Sequence, residues 1–332
     1  MSKKSYFGVN GVARNVKSWP VGIGNVARKA KSGYFGVGGV ARQFLSGVDP
    51  VLNNNDWATI RAVSDANQGA NYWSVGDTKT ITINGKVGNT TFSNLSVDAF
   101  ILGFNHNSSV EGSNRIHFQI GKISSKLIGL IDGSYGNYKT DGSKIFNMNH
   151  WGNYNYGGWA SCDLRYDILG STDVAPSGYG SAVTTSRVGY NASATCATNP
   201  VANTLMAALP ADLRAVMKGV TKYADAVGNA SNVLANVKAF IDYLFLLAEF
   251  EVRGTRSYAN QYEQNYQKQY AYYSSGNSKV MYKHNGTTTA AYWWLRSARY
   301  GTGNTFCSVN TYGNADWNTA REAYALAPGF AV

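Results

Sequence analysis

The sequence has little cysteine and no cysteine pattern. Cys162, Cys196 and Cys307 are scattered over 332 residues without a CxxC pair. An odd number argues against a disulfide framework. Buried thiols are the expected state, with a Cys162–Cys196 bridge as the alternative. Charge is also scarce, at 15% of residues, well under the usual quarter. Gly, Asn, Ser, Thr and Tyr fill the gap, which suits a loop-rich, β-containing surface protein better than a helical cytosolic enzyme. The longest apolar run, near residues 243–248, is far short of a membrane span. Met1-Ser2-Lys3-Lys4 leads into glycine-interrupted sequence, not the apolar core of a signal peptide. Release by lysis, as part of a virion, is the expected route out of the cell.

Catalytic signatures are missing too. His106, His117, His150 and His284 show no HExxH or H-x3-H spacing, and no GxSxG, Walker loop or cysteine–histidine pattern appears. Asp163 and Asp167 lie four apart with Arg165 between them, and they read as a solvated helical face with local ion pairing. No enzymatic activity, cofactor or metal is expected.

Acids are absent from residues 1–47, which hold eight of the thirty basic side chains. The remaining twenty-two bases nearly balance nineteen acids. This basic arm is a repeat of period fourteen: Gly8, Gly22 and Gly36 align, as do Val12, Val26 and Val40, and Arg14, Arg28 and Arg42. Asn10-Gly11 is a hairpin-turn signal. Units this small cannot bury an apolar face alone, so the arm is expected to order by assembly, in a homo-oligomer or on a phage particle. A flexible basic tail and a nucleic-acid arm are the alternatives, but phosphate binding does not need a glycine and valine repeat. Gly22-Ile23-Gly24-Asn25-Val26-Ala27 matches GxGxxA, but it lies inside the repeat and lacks the strand, helix and acidic residue of a dinucleotide site.

The second region is read as residues 48–332. Residues 48–55 form a linker, and 78–104 a strand pair turning at Asn84-Gly85. Residues 116–120 form a short strand, 132–158 a Gly/Asn/Tyr loop, and 159–169 a helix with Leu164 and Ile168 on one face. Leu213, Met217 and Val220 predict a helix over 205–225. Residues 240–252 are an apolar strand or buried helix. Tyr262, Tyr266, Tyr270 and Tyr273 predict one helical face that serves as core or interface. Residues 279–283 and 292–297 are strands leading into a terminal meander.

Eight aromatics fall between Tyr292 and Tyr324. Trp293 and Trp294 open the stretch with Leu295. Tyr300, Tyr312, Trp317 and Tyr324 sit among Asn, Thr, Ser, Arg and Gly. That mixture is paratope chemistry, in which rigid rings supply area and small polar residues supply adaptable hydrogen bonds. The competing reading is a meander whose rings pack on its own sheet.

A resemblance weighs on that choice. Trp293-Trp294-Leu295-Arg296-Ser297, Phe306-Cys307-Ser308-Val309-Asn310 and Ala327-Pro328-Gly329-Phe330-Ala331-Val332 resemble the C-terminal variable region of C-type-lectin-fold variable proteins. Those proteins are diversified by diversity-generating retroelements in phages and gut bacteria. Upstream, Tyr72-Trp73-Ser74-Val75-Gly76-Asp77-Thr78, Tyr243-Leu244-Phe245-Leu246-Leu247-Ala248-Glu249-Phe250-Glu251 and Glu263-Gln264-Asn265-Tyr266-Gln267-Lys268-Gln269-Tyr270 are similar to a domain family common in phages of gut bacteria. The likeness covers most of residues 50–332.

The resemblance implies an α+β, C-type-lectin-like fold with a mixed antiparallel sheet and flanking helices, preceded by the short repetitive β-rich arm. Its variable region is 292–332. It implies a receptor-binding, tail-fibre-associated protein for host attachment, displaying Arg299, Tyr300, Thr302, Asn304, Ser308, Asn310, Tyr312, Asp316, Trp317, Asn318, Arg321 and Tyr324 to a bacterial surface protein or glycan. Trp293, Trp294, Leu295, Phe306, Val309, Ala327 and Phe330 are expected framework. Asp316-Trp317-Asn318 only partly echoes the Trp-Asn-Asp of calcium-dependent lectins, and Glu-Pro-Asn is missing, so direct side-chain contacts are expected. The expected assembly is a homo-oligomer, a trimer by analogy with tail fibres. A surface-glycan hydrolase, which needs paired acids across a cleft, and a structural virion subunit without an external ligand are the rival readings.

Overall fold

The computed structural model describes residues 47–171 and 197–332 in full and, of the first 46 residues, the backbone of six strands. The chain divides into two compact units, Met1–Val51 and Leu52–Val332. In the first, β1 (Tyr6–Val9) pairs with β2 (Val12–Asn15), β3 (Pro20–Ile23) with β4 (Val26–Lys29), and β5 (Gly33–Val37) with β6 (Val40–Leu45). Each hairpin is one fourteen-residue repeat. The register is the same in all three: Gly8 opposes Ala13, Gly22 opposes Ala27 and Gly36 opposes Ala41. The looser second copy keeps this register because the glycine and alanine are retained where the strands face each other.

The second unit is α+β with a mostly antiparallel sheet. After a 3₁₀ turn, Leu52–Asn54, comes the helix Trp57–Asp65, capped by Asp56, whose carboxylate accepts the Thr59 N–H at 2.7 Å. Such a cap stabilises by about 1 kcal/mol. Trp57, Ile60 and Val63 fall on one helical face and are buried. The Trp57 ring meets Phe118 and Phe330 edge-on.

β7 (Thr78–Val87), β8 (Thr90–Phe104), β9 (Ile116–Ile123) and β10 (Lys126–Gly129) follow as an antiparallel meander. β11 (Val220–Asp225) and β12 (Val237–Asp242) form a separate pair. β13 (Met281–Lys283) joins β10 in parallel and β14 (Gly286–Ala291) antiparallel. β15 (Trp293–Ala298), β16 (Thr305–Val309) and β17 (Ala315–Thr319) make a three-stranded antiparallel sheet with β17 at its edge. β18 (Gly329–Ala331) returns to pair with β9. Residues Ile116 to Lys122 of β9 are all buried. Its buried Gln119 is satisfied at both ends of the amide: it donates to the Ala327 carbonyl at 2.9 Å and accepts from the Tyr273 hydroxyl at 2.7 Å.

Several expectations are corrected. The β7–β8 turn is at Gly88-Asn89, not Asn84-Gly85, where the ladder instead shifts register. Turning at Asn84-Gly85 would have removed buried Val87 and Phe92 from the hairpin. Gly88 takes φ +54, and a Cβ there would meet the Lys144 carbonyl at 2.3 Å, so only glycine fits. Residues 205–225 are not one helix. They form two single turns, Leu205–Ala208 and Ala211–Arg214, and then β11. Pro210 separates the turns, because it lacks an N–H to continue the first.

The stretch 240–252 divides into the end of β12, a buried connection and the helix Glu249–Arg253. The tyrosine stripe is broken as well. A 3₁₀ turn, Gln261–Asn265, and the turn Ala271–Ser274 carry it, and only Tyr270 and Tyr273 reach the core. Residues 159–169 form a helical turn, Gly158–Ser161, and a π-helical turn, Leu164–Ile168. Asp163 and Asp167 are buried rather than solvated. Arg165 is also buried and pairs with Asp242 at 2.6 Å, where Trp159 Nε1 donates to the second carboxylate oxygen at 2.7 Å. Cys162 and Cys307 are buried, while Cys196 lies outside the described residues.

The framework expectations agree with the structure. Trp293, Trp294, Leu295, Phe306, Val309 and Phe330 are fully buried, and Ala327 nearly so. Trp293, Leu295, Cys307 and Val309 on one face of the terminal sheet join Phe100 and Leu102 of β8 in the principal core. Among the described residues, no helix is long and apolar enough to cross a membrane.

Candidate ligand-binding face

β15 leaves the core at Ala298, and Arg299 and Tyr300 are the first partly exposed residues after it. Neighbouring segments hold this exit. Ala259 bridges Arg299, Ala230 bridges Tyr300, and the Tyr300 N–H donates to the Tyr258 carbonyl at 3.0 Å. Buried Asn155 donates to the carbonyls of Thr302 and Thr305 at 3.0 and 2.8 Å and accepts the Asn229 N–H at 2.9 Å. Four stretches of chain are thereby pinned beneath one surface.

At this exit and farther along the terminal stretch, arginines lie over aromatic rings. The Arg299 guanidinium is 3.9 Å from the Trp317 ring centre and 5.5 Å from that of Tyr258. Arg256 is 4.0 Å from Tyr300 and Arg321 is 4.8 Å from Tyr138. Among the described residues, none of the three forms an ion pair. Among the described residues, Arg256 donates only to the Ala259 carbonyl, at 2.6 Å. The nearby Glu249 carboxylate is turned inward, accepting the Tyr258 and Ala259 N–H groups at 2.9 and 2.8 Å. Stacking orients a guanidinium and leaves its N–H edge for a ligand.

Of the expected residues, Arg299 and Trp317 are thus in contact, and Tyr300 follows with its ring beside Arg256. The other expected residues divide between the two sides of edge strand β17. Strand alternation puts Trp317 with Cys307 and puts Asp316 and Asn318 with Ser308 and Phe306. On the latter side, Asn318 accepts from the Tyr324 hydroxyl at 3.1 Å, and half-buried Tyr324 stacks on Tyr292 with centroids 5.2 Å apart. Asp316 accepts the Trp317 N–H at 2.8 Å. Asn310 accepts the Tyr312 and Asn314 N–H groups at 3.0 Å each, shaping the turn that holds Tyr312 82% exposed. Thr302 pairs with the Thr305 hydroxyl, and the Asn304 carbonyl accepts the Ala320 N–H at 2.9 Å. Ser308 departs from the expectation: it is fully buried, and its hydroxyl accepts from Asn318 at 2.8 Å. It positions a surface residue from below.

The terminal stretch carried no sign of Arg256, Tyr258 or Tyr138; the Gly/Asn/Tyr composition of residues 132–158, which matches that of the terminal stretch, was the available signal for Tyr138.

Beneath the face lies a buried ionic network. Glu251 receives Arg296 through both terminal nitrogens at 2.5 and 2.7 Å, Lys222 at 2.9 Å, and the Ala248 N–H at 2.9 Å. Lys222 also donates to Glu111 at 2.8 Å and to the Tyr270 hydroxyl at 2.7 Å. Burial would raise the Glu251 pKa, but Arg296 and Lys222 hold it well below the usual range. For Glu111, burial outweighs Lys222 and pushes the pKa up to about 7. His106, Glu111 and Glu251 have metal-ligand spacing, the one such group among the described residues. The Lys222 ammonium touches both carboxylates and already supplies the cation, so the set does not fit a metal.

His106 stacks on Tyr270 with centroids 3.8 Å apart. Burial, then Lys222, lowers its pKa from 6.5 to about 3. The unfolded chain thus binds a proton at His106 that the folded protein refuses. This costs about 1.4 kcal/mol of stability per pH unit as pH falls from 6.5 toward 3. Glu111 and Glu263, both pushed up to about 7 by burial, act in the opposite sense between pH 7 and 4.5. The comparison between proteins isolates the histidine: the melting temperature of His106→Gln should fall less between pH 7 and 5 than that of the wild type. Equal falls would contradict the assignment.

Residues 143–332, more than half of the chain, match the family model described as Domain of unknown function (DUF6273). No curated protein and no solved structure matches.

Proposed function

Because the chain belongs to the DUF6273 family, whose description assigns no activity, we propose from the geometry that the second unit is a ligand-display module. It is read as a receptor-binding component of a phage tail that attaches to a bacterial surface, with a lectin-like frame beneath a diversifiable face. The N-terminal hairpins are its assembly or attachment arm. One observation carries the reading: arginines stacked on Trp317, Tyr300 and Tyr138, without carboxylate partners among the described residues, at the rim of a fully buried framework. Tyr, Trp and Arg are the residues that dominate interface energetics, and rigid strands with pinned turns present them at low entropic cost.

Adsorption of the purified protein to host cells tests this. Trp317→Ala and Tyr312→Ala should each weaken adsorption by about 1–3 kcal/mol. Their melting temperatures should stay near the wild-type value, since the rings are 37% and 82% exposed. Full adsorption by both variants, or no adsorption by the wild type, would leave a structural subunit instead. A second copy of the segment encoding residues 292–332 beside a reverse transcriptase gene, mismatched only at adenines, would mark the positions under diversification.

A further inference from the structure

We infer that the patch formed by Arg256, Tyr258, Arg299, Tyr300 and Trp317 takes a carboxylate-bearing sugar of an acidic polysaccharide. The inference rests on the reading of this face as a binding surface and names the class of its ligand. Two backbone links join the patch: the Ala259–Arg299 bridge and the Tyr300 N–H donated to the Tyr258 carbonyl. Two guanidiniums and two rings are thus fixed on adjoining segments, and the Trp317 ring lies under Arg299. Arg299 donates no side-chain hydrogen bond among the described residues, and its Nε and one terminal nitrogen of Arg256 are buried without a partner. The terminal nitrogens of Arg299 are neither buried nor donated to protein among the described residues, and an anion at that edge of the fork would give them a partner.

The shape of the patch selects the anion. A guanidinium held over a ring carries its N–H groups at its edge, and a planar carboxylate matches that edge with two parallel hydrogen bonds. Partly exposed Tyr300 and Trp317, with exposed Tyr156 beside Gly303, add apolar ring surface on which the C–H face of a sugar can rest. A nucleic acid is a poorer fit. It calls for a track of cations along successive phosphates. Bases and acids nearly balance outside the N-terminal arm.

The test uses the full-length protein and immobilised polygalacturonate, with a carboxyl-reduced polymer of the same length as control. Binding to the acid polymer should be at least tenfold tighter than to the reduced one. Arg299→Lys keeps the charge but loses the fork, and it should bind at least tenfold more weakly with an unchanged melting temperature. Equal binding to both polymers, wild-type binding by Arg299→Lys, or displacement of the acid polymer by a single-stranded oligonucleotide at lower concentration would each overturn the inference. If the protein ignores both polymers while Trp317→Ala still abolishes adsorption to cells, the carboxylate inference falls and the display reading stands.

Discussion

Glu251→Gln is expected to destabilise the second unit by about 3–5 kcal/mol, as removing one partner of a buried ion pair does. One neutral amide would face both Arg296 and Lys222, each almost completely buried. Among the described residues, neither cation has another fully ionised partner. Among those residues, Arg296 otherwise bonds only to the backbone carbonyls of Leu246 and Tyr223, and Glu111 is pushed up to about 7. Denaturant unfolding would measure the loss. The double variant Glu251→Gln/Lys222→Met should recover part of it, because it removes the surplus cation and leaves Glu111 able to stay protonated at small cost. A double variant less stable than the single one would show that Lys222 acts through its other bonds and not as a charge in balance with Glu251.

The second large effect is expected at Trp294. The ring is fully buried, its Nε1 donates to the Phe146 carbonyl at 3.0 Å, and its centroid lies 5.1 Å from that of Tyr324. Trp294→Ala should cost about 3–5 kcal/mol in lost burial and cavity formation. It should also loosen Tyr324 and, through its hydroxyl, Asn318. Thermal unfolding separates this from the surface substitutions: Trp294→Ala should lower the melting temperature and Trp317→Ala should not. Similar falls in both would mean that Trp317 belongs to the core.

The contrast between these tryptophans was legible in the sequence, because apolar neighbours surround Trp294 and polar ones surround Trp317. The arm was legible as well, since a repeat that preserves which glycine faces which alanine must preserve the hairpin. Other elements were not. Leu213, Met217 and Val220 have helical spacing, yet a turn followed by a strand meets the same burial demand, and residues far along the chain decide between them. Asp163 and Asp167 had the look of a solvated pair. They are buried because Arg165 between them finds Asp242, 77 residues away. Arg256 carried no signal of its own. Its place on the face depends on the backbone pairing of Ala259 with Arg299.

That β18 lies against the middle of β9 has a kinetic meaning. Phe330 opposes Phe118, a closure over about two hundred residues, and such distant pairings form late because loop entropy must first be overcome. During synthesis, β9 would emerge long before the strand that covers half of one edge. Until then its Ile116, Phe118 and Ile120 side chains lack Phe330, and its backbone offers a ready template to a neighbouring chain. Folding yield should therefore be sensitive to protein concentration and to chaperone supply, and substitutions in residues 329–331 should reduce soluble yield more than they reduce the melting temperature of the protein that does fold.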